Sequence, residues 1–352
     1  MSNPEYDNSE NVTLTEAARP VARERIATGH RLRGDARRSH RGPGSRIASA
    51  AVRLPVLDAV IVGGGPAGLS AALVLGRARR NVLVLDTDRP ANASANAVGG
   101  LLAQGGVAPA DLRQAGREQL ADLPTVEVRT NAVLDVDSLA EGFAVTLDGG
   151  TPVRTRSLVL AHGLRYDPPP LPGIEPLWGR SVFHCPFCDG WEVRDRPLAL
   201  HGNGPEAARS AMVISGGSRD LVLCTDGPAR LNGERVALAE AGVRVREDRI
   251  RELTGRDGRL QRIEFEAGPA EERDALFVRT LRGQPNGLAE ALGCRLTPGG
   301  TIVTDGDGRT DVAGVYAVGD AATERLRSVA NAIGTGSRAA YSVALDLVPE
   351  IV

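Results

Sequence analysis

Two cysteines three residues apart, Cys185 and Cys188, are the residues in this sequence best suited to redox chemistry. Two thiols at this spacing can close a small disulfide ring, and a helix start lowers the pKa of a thiol so that thiolate is available. A zinc site is the alternative, but zinc needs four ligands, and Cys224 and Cys294 stand alone. We therefore predict a redox-active dithiol and no metal, with the other two thiols buried and inert.

A glycine-rich turn ahead of the dithiol has the pattern of a dinucleotide site. An apolar run at residues 57–62 leads into this turn, and an Ala- and Leu-rich helix and a second strand follow. The first glycine permits the tight turn, the second lets the backbone approach a pyrophosphate, and the third lets helix and strand pack closely. The helix aims its free N–H groups at the phosphates, and an acid at the end of the second strand can bind a ribose. The predicted binding residues are Gly63, Gly65, Pro66, Ala67, Gly68 and Asp86.

The same order of elements recurs after the dithiol. A strand at residues 196–201, a second glycine-rich turn, a helix to about residue 215 and a strand at residues 221–226 follow one another. The acids stand at similar offsets, 23 residues after Gly63 and 24 after Gly202. The chain therefore contains two dinucleotide folds, and the second predicts nicotinamide contacts at Gly202, Gly204, Ala207 and Asp226.

A long strand is predicted over residues 310–320, where it ends in Gly319-Asp320, and a helix over residues 329–347 follows it. This arrangement resembles the second flavin motif of the pyridine-nucleotide disulfide oxidoreductases. The resemblance implies that Asp320 binds the ribityl chain of FAD and that the helix start faces the flavin. Residues 157–163 resemble the crossover strand of that family, with His162 in place of its usual Thr. The flavin contacts so implied are Ala161, Gly163, Gly319, Asp320, Ser328 and Val329.

The dithiol with its flanking residues, Cys185-Pro186-Phe187-Cys188-Asp189-Gly190, resembles that of the low-molecular-weight thioredoxin reductases over residues 57–349. The resemblance implies that Cys188 lies against the flavin, that Cys185 exchanges with the substrate and that Asp189 is the acid–base group. It also implies a homodimer and a rotation between domains. The continuation Trp191-Glu192 is closer to the dithiol oxidases that close disulfides in small natural products such as gliotoxin and holomycin.

The residues after the second strand of the second fold predict which nicotinamide it takes. NADPH-dependent thioredoxin reductases carry His-Arg-Arg where this sequence has Thr225-Asp226-Gly227. A carboxylate repels a 2′-phosphate and accepts hydrogen bonds from a 2′-hydroxyl, so NADH is favoured over NADPH. The alternative is a vestigial site, since an oxidase that passes electrons to oxygen needs no nicotinamide.

Charge and composition indicate which partners and which cellular location to expect. The net charge of −2 argues against a nucleic-acid partner, and no apolar run of about 18 residues is available to span a membrane. The start of the chain lacks the features of a secretory signal, so we expect a cytoplasmic protein. Residues 1–53 contain ten Arg without periodicity and predict a disordered extension.

These patterns predict an α/β fold with two Rossmann-like FAD/NAD(P)-binding domains, the second inserted in the first. The FAD-binding domain comprises residues 54–171 and 281–352, and the NAD(P)-binding domain that carries the dithiol comprises residues 172–280. The leading functional hypothesis is a flavoprotein disulfide reductase that passes electrons from NAD(P)H to thioredoxin or a similar substrate. The alternatives are an oxygen-dependent FAD dithiol oxidase and a non-catalytic flavin-binding redox sensor.

Overall fold

The computed structural model describes residues 55–323 and 326–349. The predicted Arg-rich extension lies outside the described residues. No helix in the described part of the chain is both long and apolar enough to cross a lipid bilayer. Seventeen strands and seven α-helices are described in these two ranges.

The strands are β1 (Val56–Val62), β2 (Val82–Asp86), β3 (Val126–Thr130), β4 (Val133–Ser138), β5 (Phe143–Leu147), β6 (Val153–Leu160), β7 (Arg165–Asp167), β8 (Val182–Phe183), β9 (Leu198–His201), β10 (Leu221–Cys224), β11 (Arg244–Arg246), β12 (Ile250–Arg256), β13 (Arg259–Phe265), β14 (Glu271–Glu272), β15 (Ala275–Val278), β16 (Leu281–Gly283) and β17 (Val315–Ala317). The helices are α1 (Pro66–Arg77), α2 (Pro109–Ala121), α3 (Pro186–Asp189), α4 (Pro205–Ser215), α5 (Glu234–Glu240), α6 (Leu288–Ala291) and α7 (Val329–Asp346).

The first fold is a seven-stranded sheet in the order β3-β2-β1-β6-β5-β4, and β17 also pairs with β6. Its central strands are parallel and buried on both faces, which explains why β1 and β2 are continuous apolar runs in the sequence. Helices α1 and α7 cover one face of the sheet, and a second apolar cluster that includes α6 covers the other.

The second fold is a five-stranded parallel sheet in the order β11-β10-β9-β15-β8. The apolar sides of α4 and α5 cover one face. The three-stranded sheet β12-β13-β14 contributes to the core on the other face. This is the second Rossmann-like unit that the repeated glycine-rich turn predicts.

Strands β7 and β16 pair antiparallel and form a ribbon where the chain leaves the first fold and returns to it. The second fold, residues 182–278, therefore lies between β1–β6 and β17 of the first fold. The α/β class with one Rossmann-like unit inserted in another is confirmed. The domain boundaries after residues 171 and 280 stay predictions.

The long strand predicted before Gly319 is much shorter in the structure. Only Val315–Ala317 is extended and paired as β17. The preceding residues turn, because the Thr310 hydroxyl lies 2.9 Å from the Val315 carbonyl oxygen and Gly314 adopts a φ of +78°. The local apolar pattern did not reveal this turn.

Candidate active site

The two cysteines of the dithiol form a disulfide at the start of α3. Their Cα atoms are 5.3 Å apart, and Cys185 immediately precedes Pro186, the first residue of α3. The Cys188 amide donates to the Cys185 carbonyl at 3.2 Å, so one helical turn holds the backbone of the ring. Both residues are half-buried, and the ring keeps an accessible side.

The other two thiols, Cys224 and Cys294, are buried and unbonded to each other. Burial raises the pKa of Cys224 to about 12 and also raises the pKa of Cys294. Both are therefore thiols at neutral pH and poor nucleophiles. Within residues 55–323 and 326–349, no group of three or more His, Cys, Asp or Glu side chains is arranged to hold a metal ion.

Asp189 ends α3 directly after the disulfide. Burial of its carboxyl group, with a smaller contribution from the negative charge of Glu192, raises the pKa of Asp189 to about 7. A carboxyl group with this pKa exchanges protons near neutral pH, as an acid–base group must.

The loop between β2 and α2, residues 87–108 (the β2–α2 loop), packs against the dithiol. A Cβ at Gly99 would overlap the Cys188 carbonyl oxygen, and a Cβ at Gly179 would overlap the Ser94 side chain. The loop therefore contacts the chain both before and after the first cysteine. It extends from the carboxyl end of β2, the edge at which open α/β sheets bind ligands. The disulfide thus packs against a loop that begins at the ligand-binding edge of the first fold.

The first glycine-rich turn has the close backbone approaches that its sequence predicts. Gly63, at φ +112°, lies against the Ala161 carbonyl group, and Gly68 lies against the Gly63 carbonyl group. Gly65 precedes α1 without a side-chain cap, and nothing lies within 4 Å of the Cβ it lacks. A phosphate can approach there and meet the free N–H groups of α1, which begins with Pro66.

Asp86 ends β2 beside this turn. A Cβ at Gly64 would lie 2.6 Å from Asp86 Oδ2, so the carboxylate is adjacent to the turn. The same oxygen accepts a hydrogen bond from Arg117 Nη2 of α2 at 2.7 Å. Helix α2 therefore orients the carboxylate that is predicted to bind the ribose.

The C-terminal flavin motif reaches the first turn by close packing of α7 on α1. Gly336 lies against the Ala67 carbonyl group, and a Cβ at Gly319 would lie 2.9 Å from the Cβ of Ala67. The Gly319 amide donates to Thr335 Oγ1 of α7 at 3.0 Å. This contact places Asp320 next to the N-terminal part of α1, although about 250 residues separate them in the sequence.

The remaining predicted flavin residues lie at the start of α7 and just after β6. Ser328 caps α7 by accepting from the Asn331 amide at 3.1 Å, so its hydroxyl is engaged within the helix, and Val329 is the first helical residue. Ala161 donates its amide to the Val62 carbonyl at 2.8 Å, and Gly163, at φ +70°, has open space beside it.

Tyr166, which sequence reasoning missed, connects Asp320 with the dithiol. The Tyr166 hydroxyl donates to Asp320 Oδ2 at 2.6 Å, and the phenol ring stacks on His184 with ring centroids 4.8 Å apart. His184 directly precedes Cys185 and also stacks with Trp178, at 5.8 Å. Burial raises the pKa of Asp320 and of Tyr166.

Desolvation, and then the positive charges of Arg282 and Arg327, lower the pKa of His184 to about 4. The residue as a whole remains exposed to solvent, which lessens the desolvation of its imidazole. The imidazole beside Cys185 is therefore neutral at pH 7.

These features fit bound FAD. The open space at Gly65 and Gly163 leaves room for a ligand. Asp86 lies beside Gly64, and Asp320 follows Gly319, which lies against Ala67, so both carboxylates are near the start of α1 and could hold hydroxyl groups. His162, next to this turn, has a buried Nε2 without a hydrogen-bond partner, an atom that a ligand can satisfy.

In the second glycine-rich turn, the Asn203 side chain makes four hydrogen bonds to backbone groups of the protein. Asn203 donates through Nδ2 to the Thr225 and Pro228 carbonyl groups, both at 3.0 Å. Its Oδ1 accepts from the amides of Gly204 at 2.9 Å and Arg230 at 2.7 Å. Its amide thus ties the turn to the loop after β10.

Asp226 lies two residues beyond the end of β10, at φ +50°, and does not end the strand as the sequence pattern indicated. Its Oδ1 accepts from the Ile250 amide at 2.7 Å, and its Oδ2 lies 3.8 Å from His201 Nε2. Burial lowers the pKa of His201, so this contact joins a neutral imidazole to the carboxylate. Gly202 packs against Ala207, where a Cβ would meet the alanine at 3.1 Å.

The family model for pyridine nucleotide-disulphide oxidoreductases matches residues 57–336. Thioredoxin reductase tcpT of Claviceps purpurea is 31% identical and the match covers 84% of this chain and 96% of that protein. Thioredoxin reductase aclD of Aspergillus oryzae is 29% identical, with 83% and 97% covered.

Two solved structures are similar over the same region. The oxidoreductase from Agrobacterium tumefaciens superposes with a TM-score of 0.79 at 33% identity, covering 84% of this chain and all of that one. HlmI superposes with a TM-score of 0.78 at 37% identity, covering 83% and 92%.

Proposed function

Because the chain belongs to the pyridine nucleotide-disulphide oxidoreductase family, we propose that it passes electron pairs between bound FAD, the Cys185–Cys188 pair and a dithiol or disulfide substrate. The observation that carries this proposal is the contact of the disulfide with the first fold, where Gly99 lies against the Cys188 carbonyl oxygen. Bound FAD would supply the two-electron chemistry. The residues that would hold it are those of the first glycine-rich turn, Asp86 and Asp320.

We assign the exchange with substrate to Cys185. In the reducing direction, the Cys185 thiolate attacks one substrate sulfur, forms a mixed disulfide and releases the second substrate sulfur as thiolate. The Cys188 thiolate then attacks Cys185, which closes the Cys185–Cys188 disulfide and releases the first substrate sulfur. The substrate gains two electrons and two protons, and the dithiol loses them.

Asp189 is the proton donor and acceptor for these thiolates. The raised pKa of Asp189, about 7, leaves part of the population protonated at neutral pH. His184 is a poor proton donor at neutral pH, because the lowered pKa of its imidazole leaves it uncharged.

We propose NADH as the electron donor, the disulfide of thioredoxin or of a similar small substrate as the acceptor, and a cytoplasmic homodimer as the working form. The acidic Asp226 supports NADH, since its charge repels a 2′-phosphate. Asp226→Asn keeps the acceptor oxygen for the Ile250 amide and removes the charge. We expect it to raise kcat/KM for NADPH relative to NADH by about 10-fold, the equivalent of roughly 1.4 kcal/mol. An unchanged ratio would show that Asp226 does not face the ribose.

Anaerobic mixing of the FAD-loaded protein with NADH tests the reductase. We expect rapid loss of the visible flavin absorbance, followed by reduction of an added thioredoxin disulfide. A purified protein that is colourless and takes up no FAD would contradict the whole proposal.

The second candidate is an oxygen-dependent dithiol oxidase. It is favoured by the second turn, where Asn203 and Asp226 direct their polar atoms to the protein itself. In this case NADH leaves the flavin oxidised, dithiothreitol reduces it through Cys185 and Cys188, and oxygen restores the colour with formation of peroxide. The same anaerobic experiment therefore separates the two candidates.

A further inference from the structure

Tyr166 lies where three parts of the molecule meet. It is the middle residue of β7, and its register partner on β16 is Arg282, so it belongs to the ribbon that joins the two folds. Its hydroxyl binds Asp320 of the first fold, and its ring stacks on His184 at the start of the dithiol motif.

The two contacts of Tyr166 use different parts of its side chain. The hydrogen bond to the Asp320 carboxylate is short, at 2.6 Å, and involves a partly buried acceptor, which makes it one of the stronger kinds of hydrogen bond. The ring contact is a stack with an interplanar angle of 26°, and Trp178 adds a second stack on the same imidazole. A substitution can therefore remove one contact and leave the other.

We propose that Tyr166 is a positioning residue that holds Asp320 in place for the flavin and, through His184, holds the dithiol segment (residues 180–192) against the first fold. This inference rests on the proposed function in its flavin part only, since the stacking on His184 is a property of the protein alone. Tyr166 thereby sets the placement of the disulfide relative to the flavin-binding carboxylate.

The variants Tyr166→Phe and Tyr166→Leu test the two contacts separately. Tyr166→Phe keeps the ring and removes the hydroxyl, so we expect the apparent dissociation constant for FAD, measured by titrating the apoprotein, to rise about 5- to 10-fold. Tyr166→Leu removes both contacts, and we expect hydrogen exchange of the backbone amides in residues 180–192 to become at least about 10-fold faster.

The chain offers a matched control in Tyr316, whose hydroxyl also donates to a carboxylate at 2.6 Å, that of Asp346. Tyr316→Phe removes an equivalent hydrogen bond from the β17–α7 contact and should change neither readout.

The inference is overturned if Tyr166→Phe alters FAD affinity no more than Tyr316→Phe does, or if Tyr166→Leu leaves exchange in residues 180–192 at the wild-type rate. Tyr166→Phe is isosteric and should fold even where the leucine variant does not. A wild-type protein that binds no FAD would contradict the proposed function, while the exchange comparison would still decide whether Tyr166 holds the dithiol segment.

Discussion

Two titratable residues on either side of the disulfide are shifted by the same physical cause. Desolvation raises the pKa of Asp189 to about 7 and lowers the pKa of His184 to about 4, because burial disfavours the charged form of each. Near neutral pH, the proton that moves in this segment is therefore that of Asp189. Neighbouring titratable groups whose pKa values are shifted apart are a feature by which acid–base residues are recognised.

Asp189→Asn should remove the pH-dependent part of dithiol exchange. The folded pKa of about 7 lies above the ordinary aspartate value, so the proton is available below pH 7 and lost above it. We expect the ratio of wild-type to variant rates for disulfide reduction by dithiothreitol to be about 10²-fold near pH 6 and to fall above pH 7. The titration of dithiothreitol cancels in this ratio. The exposed Asp195 provides the control Asp195→Asn, and a ratio that is flat with pH would remove Asp189 from the reaction.

The Cys185→Ser and Cys188→Ser variants should differ in their long-wavelength absorbance. If Cys188 faces the flavin, Cys185→Ser leaves a lone thiolate against the oxidised ring and gives a long-wavelength charge-transfer absorbance. Cys188→Ser should lack this absorbance. The opposite pattern would exchange the roles of the two cysteines.

At the level of elements, glycines determine how closely the working parts approach each other. Gly319 and Gly336 let α7 pack on Ala67 of α1, which brings Asp320 to the first glycine-rich turn. Gly99 lets the β2–α2 loop reach the Cys188 carbonyl group. Each contact is between backbones or small side chains, so an added methyl group must displace an element.

Gly99→Ala should move the dithiol away from the first fold. Its φ is not in the left-handed region, so the expected effect is steric and arises from the overlap of the new Cβ with the Cys188 carbonyl oxygen. We expect flavin reduction by dithiothreitol, followed by visible absorbance, to slow by roughly 10- to 100-fold. Gly105→Ala, in the same loop with no atom closer than 3.9 Å to the new Cβ, is the control and should be close to wild type.

In the molecule as a whole, ion pairs join the layers of the second fold. Glu271 of β14 receives hydrogen bonds from Arg244 Nη1 and Nη2 of β11, both at 2.9 Å, and from Arg246 at 3.3 Å. Arg273, which is 4% exposed, also binds Glu271 and pairs with Asp220 at 3.1 Å. This network ties the edge of the parallel sheet to the small antiparallel sheet that covers it.

This network should make the stability of the protein sensitive to acid. The hydrogen bond from Arg244 is the main cause that lowers the pKa of Glu271 to about 2, from an ordinary value of 4.5. Its contribution to stability is therefore complete above about pH 4.5 and is lost as the pH falls towards 2. Glu271→Gln should lower the free energy of unfolding at pH 7 by about 1.5–3 kcal/mol and flatten its decline between these pH values, as measured by denaturant titration. The exposed neighbour gives the control Glu272→Gln, and equal effects of the two changes would contradict the role of the network.

The sequence by itself determined the features that depend on local spacing. Gly63, Gly65, Gly68 and Asp86 could be placed because a turn, a helix start and a strand end are encoded within about 25 residues, and the second fold was found from the same spacing. The Cys185–Cys188 ring is equally local. The resemblance to a known family then supplied Asp320 and the order of the domains.

Only the tertiary structure decided which groups these residues meet. Tyr166 and Asp320 are 154 residues apart, and no periodicity or motif links them. The same holds for Gly99 with Cys188, for Asn203 with the loop after β10, and for Asp226 with the Ile250 amide. Such contacts form when separate elements pack, and their partners are set by the closure of the whole chain rather than by the residues beside them.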